Sequence, residues 1–191
     1  MRKILFVFSI ILLAIFAMNL FAQQKFLYVG VDKCKTCHQQ ERYGNQYGIW
    51  KEGPHAKALE SLSSEKSLKY AKENGIEDPT KEPKCLNCHA TYATVPKDLI
   101  DPKGSLTLEE GVSCESCHGP GSEYRKPSIM KKSAYDEDFE AAHKAALAAG
   151  LVEPTEQVCV TCHNENNPFH PGFNFKEKVA KVQHPTPYRK K

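Results

Sequence analysis

Residues 111–121 read GVSCESCHGPG, and Cys114, Cys117 and His118 inside this stretch form a C-x-x-C-H signature. The signature recurs as CKTCH (Cys34, Cys37, His38), CLNCH (Cys85, Cys88, His89) and CVTCH (Cys159, Cys162, His163). On a helical turn, residues three and four apart share a face, so both thiols can reach one edge of a planar macrocycle. The histidine that follows is then placed to give its imidazole to an iron at the centre of that plane. This is the pattern of covalent c-type haem attachment, and it implies four haems. A zinc site, a redox C-x-x-C pair and ordinary disulfides are the competing uses of paired cysteines. None of them has a use for a histidine directly after each pair. With 8 His in 191 residues, chance would place one after all four pairs about once in a few hundred thousand such sequences.

The composition points the same way. All 8 Cys lie inside the four signatures, leaving no thiol for a structural disulfide or a nucleophile. Mean hydropathy is −0.53, too polar for a robust core of large aliphatic side chains, and four haem faces would supply the missing apolar area. The chain is therefore expected to be largely unfolded without haem.

The N-terminus reads as a cleaved export signal over residues 1–22. Arg2 and Lys3 form a positive start, residues 4–16 are apolar apart from Ser9, and Leu20, Phe21 and Ala22 precede the cleavage position. An uncleaved membrane anchor is the alternative, because the apolar run approaches spanning length. Cleavage places residues 23–191 outside the cytoplasm, in the periplasm or an equivalent space, as one tetrahaem domain with no membrane span. Its radius of gyration would be about 15–16 Å, so the haems must crowd together. Loss of Arg2 and Lys3 lowers the formal charge from +3 to +1, and each oxidised haem with its two propionates adds roughly −1. The sequence pI of 8.3 is thus no argument for nucleic-acid binding.

The expected fold class is mainly α, with short helices and irregular loops packed around the haems. A helix is expected to continue over residues 39–43, and Pro54 to open another that presents His55. Residues 64–74 read as a helix closed by Gly75. Thr107 and Glu110 have capping-box spacing ahead of the third signature. Gly119, Pro120 and Gly121 would let backbone pass close to a macrocycle edge. Residues 136–149 read as one amphipathic helix ending at Gly150. Pro154 and Thr155 start the fourth haem helix, residues 176–183 look helical, and Pro185 and Pro187 force an extended tail. The unequal spacings of 51, 29 and 45 residues between first cysteines exclude a regular solenoid.

His38, His89, His118 and His163 are the expected proximal iron ligands. Four further histidines, His55, His143, His170 and His184, and Met130 are the candidates for the sixth position. Counting alone does not assign them. A histidine on an apolar helix face, such as His143, is often simply packed, and a methionine such as Met130 often fills a gap.

The run HAKALESL from His55, the GVSCESCHGPG block and FNFKEKVAKVQH ending at His184 resemble the tetrahaem cytochrome c-554 family. The resemblance implies a mainly helical fold with haems in stacked and angled pairs. It also implies relay of electrons from a donor enzyme to a membrane acceptor. It makes His55 the partner of His118 on the third haem and His184 the partner of His163 on the fourth. The second haem, on His89, would lack a protein ligand on its far side. The family's first haem takes a histidine from the loop after CHGPG, but here that loop reads SEYRKPSIMKKSAYD and holds none. Met130 in the loop and His143 on the following helix are the two candidates to face His38.

Two functional classes follow. One is a non-catalytic electron-transfer protein working between redox partners. The other is a small haem enzyme acting on nitric oxide, nitrite or hydroxylamine at an open iron on His89. The absence of a C-x-x-C-K signature weakens the nitrite-reducing version.

Overall fold

A computed structural model describes residues 25–185 of the chain. The proposed signal over residues 1–22 and the tail from Pro187 lie outside the described residues. The first half holds α1 (Val31–His38), α2 (Gln46–Glu52), α3 (Ala58–Ser61), α4 (Glu65–Glu73), α5 (Pro83–His89) and α6 (Thr91–Thr94). The second half holds α7 (Cys114–His118), α8 (Pro127–Met130), α9 (Lys132–Glu137), α10 (Phe139–Ala148), α11 (Glu156–Cys159) and α12 (Phe175–Val179). Among the described residues the sole β element is an isolated parallel bridge between Tyr28 and Ile100. The fold is mainly α, as the sequence indicates. None of the described helices is long and apolar enough to cross a membrane.

Local chemistry explains most helix ends. The Ser64 side chain accepts from Ser67 N–H at 3.3 Å to open α4, and Gly75 follows its end at φ 68°. Pro83 occupies the first turn of α5, where its missing N–H costs nothing, and Glu82 caps Lys84 N–H. Asn174 caps α12 through Glu177 N–H at 3.1 Å.

Five expectations about helix limits change; residues 176–183, expected as one helix, are helical only within Phe175–Val179. Residues 39–43 supply only a 3₁₀ turn, Glu41–Tyr43, stopped by Gly44 at φ 97°. Pro54 does not open a helix: His55 sits in a turn, and α3 begins at Ala58. The long helix expected over residues 136–149 is two, because Asp138 adopts an extended conformation (φ −147°) and caps α10 by accepting from Ala141 N–H at 3.0 Å. Ahead of the third signature, Leu108–Glu110 is 3₁₀, and the Thr107 side chain does not cap it.

The core is thin. Its buried hydrophobic members are mostly alanines and valines, and the largest fully buried side chains are Glu115, Val29 and Ser113. One apolar cluster, Tyr124, Ala146 and Ala149 with Ile129, Met130 and Leu151 around it, joins α8 to α10. At about 25 cal/mol per Å², such small side chains contribute little burial energy, which fits a chain whose apolar interior is completed by something other than amino acids.

Candidate functional site

Residues 110–121 form a crossroads. The Glu115 side chain, 2% exposed, takes N–H bonds from Val29 (2.9 and 3.1 Å), Gly30 (2.8 Å) and Gly121 (2.7 Å). Val29 and Gly30 lead directly into α1, so a carboxylate inside the third signature anchors the entry to the first. Gly30, at φ 83°, allows this because a Cβ there would collide with the backbone of Ser105 and Leu106. Val112 N–H donates to His55 O at 3.0 Å, and Trp50 Nε1–H donates to Val112 O at 2.9 Å. Thr91, just past the second signature, donates its N–H to Gly111 O (2.8 Å) and accepts from Ser113 N–H (2.7 Å). Val152 N–H, on the way to the fourth, donates to His118 O at 2.9 Å. Gly119, at φ 73°, makes room for this segment: a Cβ would lie 2.7 Å from Val152 Cγ2 and 2.8 Å from Gly150 O. Within the polypeptide, the close approach expected of that glycine is thus to Gly150 and Val152.

The four cysteine pairs lie in a spatial line that differs from their sequence order. The Cys34 and Cys114 thiols are close enough to influence one another electrostatically, and α1 packs on α7. On its other side α7 packs on α11, with Cys117 close enough to Cys159 and Cys162 to feel their charge. Cys162 in turn meets Cys88, and its Sγ lies 4.0 Å from Asn87 O. The line runs first, third, fourth, second.

Two pairs of imidazoles face each other. The ring centroids of His118 and His184 are 5.8 Å apart, and those of His55 and His163 are 6.2 Å apart. An atom held at about 2 Å by a nitrogen of each ring requires a centroid separation of about 6 Å. The pairing is the reverse of that implied by the family resemblance: His184 faces the third signature and His55 the fourth. The reason lies in the crossroads, where the His55 carbonyl is held by Val112 while its turn carries the ring out toward His163. Burial lowers the pKa of His118 to about 4, with His184 adding to the effect, and burial also lowers those of His55, His163 and His184. All four are thereby kept as neutral rings with a lone pair available. His184 Nδ1 is buried and reaches no hydrogen-bond partner, an orphaned donor or acceptor that a metal site would account for.

The other two signature histidines are oriented through Nδ1. His38 Nδ1 pairs with Gln46 Oε1 at 3.0 Å, and His89 Nδ1 with Ala58 O at 2.6 Å and Ser61 Oγ at 3.2 Å. An acceptor on Nδ1 fixes the tautomer that leaves Nε2 unprotonated, the usual support of a metal-bound imidazole. Gln46 also donates to Tyr43 O and, at 3.0 Å, to Pro185 O. One amide therefore ties His38 to the residue after His184, a link that nothing in the local sequence pattern signals. Met130 and His143 have other neighbours. Met130 packs on the Tyr124 cluster, while His143 stacks on Phe139 (5.6 Å, 17°) and meets Glu153 Oε1 at 3.1 Å. His170, in its loop, is near enough to His163 to depress its pKa further.

A family model described as "Cytochrome c554 and c-prime" matches residues 33–119, which take in the first three signatures. Cytochrome c-554 of Nitrosomonas europaea is 31% identical over 144 residues, covering 70% of this chain. The chain belongs to the cytochrome c-554 family. It spans 56% of that relative's length. The solved structure of the reduced state of cytochrome c554 from Nitrosomonas europaea has a TM-score of 0.55 and 26% identity, covering 84% of this chain and 86% of that one. Family membership implies covalently attached c-type haem. The donor set fits that cofactor: paired thiols on helical turns, neutral facing imidazoles, an unsatisfied buried ring nitrogen and a core short of apolar bulk.

Proposed function

We propose that this cytochrome carries four covalent haems and relays electrons through them between soluble or membrane-bound redox partners, in the periplasm or an equivalent exported compartment after removal of residues 1–22. The observation that carries this reading is the continuous line of cysteine pairs, first to third to fourth to second, in a domain of this size. Each haem would be held by Cys34 and Cys37, Cys85 and Cys88, Cys114 and Cys117, or Cys159 and Cys162. His38, His89, His118 and His163 would be the proximal ligands. When bound, each haem supplies a one-electron iron couple whose potential depends on ligand type, burial and nearby charge.

The polypeptide's task is placement. Glu115 holds the third signature against the first, so the spacing between these neighbouring sites is built into the hydrogen-bonded crossroads, and Thr91 ties in the segment just past the second. His184 would complete the ligand set opposite His118, and His55 that opposite His163. Both rings are held neutral by burial and so need no proton loss to bind metal. Gln46 and the Ala58 carbonyl would orient His38 and His89 by accepting their Nδ1–H. Donor and acceptor proteins would reach the ends of the line, at the first and second signatures.

Electron paramagnetic resonance of the haem-loaded chain during a redox titration tests the proposal. Two low-spin signals that convert to high-spin one at a time, in His184→Ala and His55→Ala, support it. A wild-type spectrum in which neither histidine affects any haem refutes the ligand assignment.

A further inference from the structure

Glu110 and Glu115 are both buried and stand between the first and third signatures, but they are satisfied unequally. Glu115 takes bonds of 2.7–3.1 Å from three N–H groups. Glu110 takes only a long, shared bond from Val31 N–H (3.2 and 3.3 Å). Of the two, Glu110 is therefore the carboxylate that gains more from a proton. It also has an exit. Glu110 lines an open cleft of about 430 Å³, together with Asp32, Lys51, Lys57 and Glu109. Its charge acts on both Cys34 and Cys114, the atoms through which the first and third haems would be attached.

We propose that Glu110 is a proton-binding site coupled to electron arrival at the first and third haems: the carboxylate takes one proton from water through the cleft on reduction and returns it on reoxidation. The electron comes from the redox donor, and the O–H bond is the only bond made or broken. The physical cause is Coulombic. An added electron beside a buried carboxylate raises the cost of its negative charge, and protonation removes that cost. Burial already pushes the Glu110 carboxyl up to about 7, with Glu115 and Asp32 adding to the rise, so the exchange falls near neutral pH. The groups facing Glu110 are Asp32 and Cys34 from α1, Cys114 and Glu115 from α7, Thr107 and Glu109 from its own turn, and Tyr47, Lys51 and Lys57 across the cleft. With the thiols consumed as thioethers, Glu110 is poised to titrate near neutral pH.

This inference rests on haem attachment at the first and third signatures. The test is a spectroelectrochemical titration of the haem-loaded full chain at several pH values from about 5.5 to 8.5. Wild type should show two haem potentials that fall as pH rises through neutrality, the two slopes together amounting to the single proton that Glu110 takes up for both electrons. Glu110→Gln, which keeps an acceptor for Val31 N–H, should flatten both, and Glu109→Gln should behave as wild type. A wild type without the slope, or a Glu110→Gln variant that retains it, overturns the proposal. Should Glu110→Gln fail to load haem, the reduced-minus-oxidised infrared spectrum of wild type carrying ¹³C-labelled glutamate decides. A protonated-carboxyl band gained on reduction and shifted by the label supports the proposal, and no such band overturns it. A chain that binds no haem covalently would refute the underlying reading instead, so the two failures are distinguishable.

Discussion

The third and fourth signatures carry the same C-x-x-C-H residues but are held in different ways. Around the third, hydrogen bonds reach the far parts of the chain: Val29 and Gly30 through Glu115, His55 and Trp50 through Val112, Thr91 through Ser113 and Val152 through His118. Around the fourth they are local, apart from the weak Cys162 Sγ–Asn87 O contact at 4.0 Å. Thr161 bonds Val158, Asn164 bonds Val160 and Thr161, and Phe169 and His170 bond Asn167. The helix there, α11, ends at Cys159, so Cys162 and His163 lie in turns. The polypeptide by itself defines the third site, whereas the fourth has fewer long-range bonds and rests more on the His55–His163 approach.

This contrast can be broken most forcefully by blocking attachment. Replacing Cys114 and Cys117 with Ser should abolish the folded state, because the crossroads loses the cofactor it is built against. Replacing Cys159 and Cys162 should leave residues 25–150 folded and release only the part beyond. Limited proteolysis with far-ultraviolet circular dichroism distinguishes the two, and equal collapse in both variants would contradict the contrast. Next in size is Glu115→Ala, which leaves the N–H groups of Val29, Gly30 and Gly121 buried without an acceptor. It should cost about 3–5 kcal/mol in denaturant titration, while Thr161→Ala should cost well under about 1 kcal/mol.

The axial ligands sharpen the comparison at a smaller scale. His184→Ala should convert one buried haem to high spin with little loss of structure, because α7 is fixed independently. His55→Ala should do the same to the fourth haem and also raise protease sensitivity over residues 156–175. Smaller still is the effect of pH. The Glu110 carboxyl lies near 7 in the fold against 4.5 for an unperturbed glutamate, so its contribution to stability is present below about pH 4.5 and lost as pH rises through about 7. Glu110→Gln should therefore lessen the decline in denaturation midpoint between pH 5 and 8. Breaking the exposed Lys25–Asp98 pair, at 2.7 Å, should have no measurable effect on either site.

Much of this was legible in the sequence. The signatures name eight cysteines and four histidines outright, because their spacing is a covalent requirement, and the helix over Glu65–Glu73 follows from Ser64 and Gly75. The pairing of distant histidines was not legible. His55 sits in a turn whose direction is set by a backbone bond to Val112, 57 positions away in the chain, and no local pattern encodes it. The roles of Glu115 and Glu110 were hidden for a similar reason. One occupies a variable position inside C-x-x-C-H, the other looks like half of a capping box, and both serve the entry to α1 from more than 75 residues away. The long helix over residues 136–149 failed at Asp138, whose carboxylate caps α10 more favourably than its backbone continues a helix.

Intact-mass measurement of the chain matured where c-type haem is attached tests the central claim most directly. The account predicts the mass of residues 23–191 plus four haems, with no thiol left to alkylate. A mass with fewer haems and free or zinc-bound cysteines at any of the four signatures would contradict it.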